Sequence, residues 1–431
     1  MSAWGLISGG DVTALAYDGR DYDLIVIGGG GAGLSTAYHA GKNGLRTLVL
    51  ERFGVLNDSG SSAGASRQFR LQYAQQYMAE LSLASQSFWA DLQGFTQKTL
   101  ITQCGSLWFG DPALSSQEGG IQAAEKVMDT LRIPYTKLDA AQIEAAFPFT
   151  DLPSDYAGFF QASGGIIDLK ATEEACYDAA LATGRVDIHE YEPVTGISEQ
   201  ADGSLTVTTG RGDYGAAKLA VCAGAYANDV LAHLGLSAGI TIWQMSSAYF
   251  RKSDPDLRLP TWFVFQDPSA SALFYGFPEV DWAHPGYARV ATDFPDAILT
   301  DPGQRTFVPS PTSLGLDSRW VAEHMVGLDP TPRFTSTCLI ALAEDSTREL
   351  LLDYTPAWGT PHPNIVTYTA GWAAKYLPIL GDMIVRMLAQ PTQQLTYGDF
   401  TIPLANFAIA WAPAAEPDQR TTPSRAIKEE R

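Results

Sequence analysis

The sequence predicts a two-domain α/β protein: a Rossmann-like dinucleotide-binding domain beside a second domain on a mixed or antiparallel sheet. Three observations predict it. An apolar run, Leu24–Ile27, enters a glycine-rich turn and then a helical pattern. Helix-like and strand-like stretches alternate along most of the 431 residues. The stretch from Leu236 to Thr337 is richer in aromatics and prolines than its surroundings, and reads as the greater part of the second domain.

Residues 1–20 are small, polar and glycine-containing, and read as a leader laid over the surface. Helical periodicity follows at Ala32–Asn43, Gln75–Leu92, Gly120–Leu131, Ala140–Ala146, Ala171–Ala182 and Asp317–Met325. Strand-like runs fall at Leu24–Ile27, Thr47–Leu50, Leu205–Thr208, Leu219–Val221, Ser247–Phe250, Trp262–Phe265 and Ile365–Tyr368. Beyond Ala415 the chain turns to Pro, Glu, Gln, Arg and Lys without apolar period, as a frayed tail does.

The most informative segment is Asp23-Leu-Ile-Val-Ile-Gly28-Gly-Gly30-Gly-Ala-Gly33-Leu-Ser-Thr-Ala37. Gly28 suits the tight turn, Gly30 lets a pyrophosphate approach the backbone, and Gly33 permits close helix–strand packing. The helix N-terminus then offers free N–H groups and a positive dipole end to the phosphates. A second apolar strand, Thr47–Leu50, ends in Glu51, where a carboxylate can accept ribose hydroxyls. An acid there disfavours a 2′-phosphate, but leaves NAD and FAD both open.

Composition narrows the function classes. Apolar residues at 45% and charged residues at 18% describe a globular chain rather than a disordered one. A net charge of −20 repels phosphate backbones and anionic lipid, so neither nucleic acid nor a membrane is an expected partner. The four cysteines and six histidines are scattered without ligand spacing, so no metal site is expected. The N-terminus lacks a signal peptide's basic region and no run reaches bilayer-spanning length, so the expected compartment is a reducing cytoplasm.

Past Glu51 comes Ser61-Ser-Ala-Gly64-Ala-Ser66-Arg67-Gln-Phe-Arg70-Leu-Gln-Tyr73, with Arg-x-x-Arg-x-x-Tyr after a small-residue loop. Cys104–Gly110, Leu219–Ala225, Phe274–Pro278, Thr337-Cys338 and Thr369-Ala-Gly371-Trp372 follow in order. This collinear set resembles the monomeric sarcosine oxidase family of D-amino-acid-oxidase-like flavoproteins. The resemblance covers roughly Asp21 to Gln390 and implies FAD as the nucleotide. It divides the chain into an FAD-binding domain (21–97, 155–237 and 345–395), a substrate domain (98–154 and 238–344) and a C-terminal extension (396–431).

The resemblance also implies roles. Gly28, Gly30, Gly33, Glu51, Arg52, Ser61, Ser66, Val194, Ala223, Gly224 and Gly371 match positions at the cofactor. Arg67 matches the arginine close to the flavin, and Arg70 the one that grips the substrate carboxylate, a task suited to a planar bidentate donor. Lys375 aligns with the second carboxylate anchor and also borders the cofactor; Tyr73 and Trp372 join the substrate side. Cys338 aligns with the cysteine that in the family binds the flavin covalently through its 8α-methyl carbon, whereas Cys104, Cys176 and Cys222 read as packing. Tyr275 lies in the region that lines the family's substrate cavity.

Two departures stand out. The stretch from Gly371 to Lys375 is shorter than the family's glycine-rich loop, and Arg289 stands where the family carries a lysine implicated in the reaction with oxygen. Arginine is bulkier and always protonated. It would assist oxygen reduction electrostatically or bind a second substrate carboxylate.

Two tempting motifs carry less. Gly60-Ser-Ser62-Ala-Gly64 fits a serine-hydrolase elbow, but falls inside the arginine motif without partners; Arg211-Gly-Asp213 reads as a hairpin turn. The implied activity is oxidation of a small secondary amino acid or N-substituted glycine, with O2 reduced to H2O2, by a monomer or small homo-oligomer. A dehydrogenase passing electrons to an acceptor protein, or a subunit needing a partner chain, are the alternatives.

Overall fold

The computed structural model describes residues 21–116, 119–267, 273–345, 349–359 and 362–414. The leader and the tail expected from sequence lie outside the described residues, apart from 396–414.

Strand Tyr22–Ile27 runs parallel between Thr47–Leu50 and Gly212–Val221 in an eight-stranded sheet. Its last four residues are buried on both faces, as a continuous apolar run demands of a strand covered on both sides. Val186–His189 extends the parallel block beyond Thr47–Leu50, and Ile365–Gly371 extends it beyond Gly212–Val221. The long strand Gly212–Val221 serves two arrangements. Its second half joins the parallel block, while its first half forms an antiparallel hairpin with Leu205–Thr209. Arg211-Gly-Asp213 sits at that hairpin's turn. Helices Gly31–Lys42, Leu169–Ala182 and Leu377–Ala389 pack on this sheet and on one another.

A nine-stranded sheet, antiparallel except for one parallel pair, stands against the first. Its longest ladder joins Ile240–Lys252 to Leu328–Ala343 and places Met245 opposite Cys338. Helix Pro311–His324 covers its far side, capped by Ser310 and started by Pro311. The strand Ala157–Gln161 is hydrogen-bonded into this sheet, although the sequence reading counts it with the FAD-binding segments. Strand Ser66–Phe69, which carries Arg67, belongs to a small three-stranded sheet with Gly165–Asp168 and Ile101–Gln103.

Each helix read from periodicity is present, including Ala140–Ala146 with its Asp139–Gln142 capping box. Helix Leu377–Ala389 has no counterpart in that reading. Eleven of its thirteen residues are buried, so it lacks the polar face that reveals a surface helix.

Candidate active site

A cleft opens at the carboxyl ends of the parallel strands, where the first sheet faces the second. Its cavity volume is about 340 Å³, within the ~300–1,000 Å³ of small-molecule pockets. The first sheet contributes Gly28 to Ala32, Leu50 to Arg52, Cys222 to Gly224 and Tyr368, Thr369 and Gly371; the second contributes Phe263, Tyr275, Phe277, Arg289, Met245 and Cys338.

The glycine turn is shaped for a close-lying ligand. Gly28 adopts φ +107°, and a Cβ there would lie 2.5 Å from the Cys222 carbonyl oxygen. A Cβ on Gly33 would lie 1.8 Å from the Gly28 oxygen, so helix and strand touch only because it is absent. At Gly30, facing the cleft, a Cβ would meet only Ser62 Oγ, at 3.5 Å. That open approach at a helix N-terminus fits a pyrophosphate. Glu51 is buried, and its carboxylate accepts from Gly29 N (2.6 Å) and Phe53 N (2.7 Å). Burial raises its pKa, while those two N–H groups pull it down. Arg52 pairs with Asp229 at the mouth, Nη1 to Oδ2 2.8 Å, and Val194 and Ser61 complete that side. These residues fit a dinucleotide.

Arg67 and Arg70 share a segment but take different directions, as residues three apart in extended chain must. Arg67 donates to the carbonyls of Ser61, Ala63 and Ser66 at 2.7–2.8 Å and so staples its own loop beside the cleft. Arg70 is 1% exposed and lies 4.0 Å from Glu349, an ion pair that sequence reasoning missed. Lys375 arrives from the single turn Ala374–Tyr376. Its Nζ lies 5.4 Å from the centre of the Tyr73 ring, and the Arg70 guanidinium 4.6 Å from the same ring. Both cations line the cleft; Tyr73 stands behind them, and neither it, Ser66 nor Gly33 is part of the cleft wall.

On the opposite wall, Arg289 donates to the Ser66 carbonyl (3.2 Å) and to Tyr275 Oη (3.4 Å). Burial opposes its charge, yet Tyr275, Tyr249, Cys338 and Asp317 together hold its pKa above the ordinary arginine value. Burial pushes the Tyr275 phenol up to about 12, so it stays neutral. Tyr275, Cys338 and Trp372 meet around Met245 and Ile340. Cys338 is half-buried on the cleft wall, whereas Cys176 and Cys222 are buried and burial pushes each thiol up to about 12. Arg305 donates to the carbonyl (2.7 Å) and hydroxyl (3.0 Å) of Thr337, holding the backbone next to Cys338.

Asp293, Gln68 and Glu173 also line the cleft and were not singled out from sequence. Gln68 lies between the two motif arginines at a position the motif leaves open, and neither Asp293 nor Glu173 carries a residue type that marks it. Among the described residues no group of three or more His, Cys, Asp or Glu is placed to hold a metal, and no helix is long and apolar enough to cross a membrane.

The fold and cleft are those of a dinucleotide-binding protein. Residues 23–389 match the family model described as FAD dependent oxidoreductase, and the chain belongs to that family. It is 26% identical over 394 residues to the monomeric sarcosine oxidase of Streptomyces avermitilis, covering 88% of this chain and 96% of that one. A longer Dictyostelium discoideum protein named as a bifunctional amine oxidase is 30% identical over 411 residues; the match takes in 90% of this chain but only 38% of that protein's length. Among solved structures, the open form of NikD, described as an unusual amino acid oxidase essential for nikkomycin biosynthesis, superposes with a TM-score of 0.82 at 36% identity. That match covers 91% of this chain and 98% of that one. The chain is therefore an FAD-dependent oxidoreductase that groups with amine and amino acid oxidases.

Proposed function

We propose that the protein oxidises the CH–NH group of a small secondary amino acid or N-substituted glycine. One observation carries this reading. Two cations, Arg70 and Lys375, come from separate parts of the chain onto one ring, Tyr73, and both line the cleft. A buried pair of that kind suits a carboxylate. Holding it there orients the C–H next to nitrogen toward the cofactor and removes rotational freedom before reaction. The substrate reacts as the free amine, because an ammonium has no lone pair to expel hydride. Bound FAD would supply the two-electron acceptor, with O2 as the final oxidant reduced to H2O2. The substrate's imine then hydrolyses to an amine and a carbonyl compound.

In this reading Arg289 provides fixed positive charge over the reacting centre, Tyr275 offers a neutral phenol beside it, and Arg67 keeps the cofactor loop in place. Cys338 is the proposed covalent anchor, supported by its place on the cleft wall within electrostatic reach of both Arg289 and Arg305. All four cysteines are free thiols, which suits a reducing compartment, and the cytoplasm is the compartment proposed. A monomer or small homo-oligomer is proposed with it.

The test begins with the visible spectrum of purified protein, before and after acid precipitation. Anaerobic additions of sarcosine, pipecolate, proline and iminodiacetate follow, and then oxygen uptake. Flavin absorbance that bleaches with one of these and recovers in air, with H2O2 formed, is the expected result. Flavin that none of them bleaches would overturn the substrate class, and bleaching without oxygen uptake would favour a dehydrogenase.

A further inference from the structure

Glu173 places a carboxyl group where a dinucleotide site has least use for negative charge. It lies on helix Leu169–Ala182, is 1% exposed and lines the cleft. Its Oε1 accepts from Gly31 N at 3.1 Å, the first residue of the helix whose N-terminus serves the phosphates. Its Oε2 is buried and makes no hydrogen bond of ordinary geometry, although the Ser62 hydroxyl stands beside the carboxyl group.

The charged and titratable groups around it are few. On its own helix, Lys170 Nζ stands 3.9 Å from Oε2, but is shared with Asp58 at 3.0 Å and the Leu56 carbonyl at 3.0 Å; the Cys176 thiol also faces it. From strand Ser66–Phe69 comes Arg67, already committed to three carbonyls. Helix Gly31–Lys42 has no acidic residue in its first turn, and helix Leu377–Ala389 presents the Leu377 methyls. Burial pushes the Glu173 carboxyl up to about 7, against the pull of Ser62, Lys170, Arg67 and the Gly31 N–H.

We infer that Glu173 binds the FAD diphosphate as a neutral acid, Oε1 keeping the Gly31 N–H while the protonated Oε2 donates to a phosphate oxygen. The inference rests on the cleft being the FAD site. An ionised Glu173 would face the diphosphate charge in a water-poor pocket, where like charges repel strongly. A neutral acid turns that repulsion into a charge-assisted hydrogen bond. The phosphate charge holds the proton more tightly still, so above pH ~7 FAD binding takes up one proton and affinity falls about tenfold per pH unit.

The experiment uses the full chain carrying Cys338→Ser, so that FAD associates reversibly whatever its native linkage. The FAD Kd is followed by flavin fluorescence from pH 6 to pH 9, with Glu173, Glu173→Gln and Glu173→Ala. With Glu173, Kd should rise about tenfold per unit above pH ~7. The Gln amide accepts and donates at every pH, so that variant should match Glu173 at pH 6 and stay flat. Ala should bind roughly tenfold more weakly at pH 6, also without slope. A Kd independent of pH with Glu173 present, or a slope that persists in Glu173→Gln, overturns the assignment. If the chain takes up no FAD at any pH, the site reading falls and the assignment with it, a failure distinct from the others because those leave FAD bound.

Discussion

Replacing Arg70 by Met tests the carboxylate clamp and its internal counter-ion together. Arg70 and Glu349 lie 4.0 Å apart with side chains 1% and 2% exposed, so the change removes a buried cation from beside a buried carboxylate. Breaking a buried pair from one side costs about 3–5 kcal/mol of stability, whereas replacing both members with apolar groups is often neutral. Arg70→Met should therefore unfold at clearly lower urea, and Arg70→Met/Glu349→Met should recover most of the loss. Substrate binding should behave differently. A carboxylate held by charge-assisted bonds from Arg70 loses about 1.5–3 kcal/mol, roughly 10–150-fold in affinity, in the single and the double variant alike. Urea titration reads the first effect, and the flavin spectral shift on adding a non-oxidisable carboxylate reads the second. Carboxylate affinity within about threefold of the parent in the double variant would refute the clamp. Parental stability in Arg70→Met would refute the buried pair.

Gly33→Ala should cost about 1–3 kcal/mol and weaken FAD binding, because its Cβ meets the Gly28 carbonyl oxygen at 1.8 Å. Gly210→Ala, outside the cleft wall and with nothing within 4 Å of its Cβ, should leave both within about 0.5 kcal/mol. Cys338→Ser should still bind flavin but release the colour to the supernatant on acid precipitation; colour retained in the pellet would exclude the thioether at this residue. Asp317 is fully buried, neither carboxyl oxygen has a hydrogen-bond partner among the described residues, and burial pushes its pKa up to about 8. Its contribution to stability is present below the unfolded value near 4 and is lost as pH rises toward about 8. Asp317→Asn should thus gain stability over the parent at pH 8 much more than at pH 4, and equal gains at both would contradict this.

The sequence by itself determined what local patterns determine. The run Leu24–Ile27, the three glycines and the 3.6-residue periods specify geometry within a few residues, and each appears where the pattern placed it. The candidate clamp was legible as residue types, because Arg70 and Lys375 sit in recognisable surroundings. Their meeting on Tyr73 was not, since it joins segments some 300 positions apart. Helix Leu377–Ala389 stayed hidden because burial on nearly every side erases the period. Strand Leu328–Ala343 was not read at all; its first half is largely exposed and carries proline, which reads as loop until Ile240–Lys252 pairs with it. Glu349 and Glu173 were invisible for a plainer reason. A glutamate looks the same in any sequence, and only tertiary structure decides whether it meets water, an arginine or the N-terminus of a phosphate-binding helix.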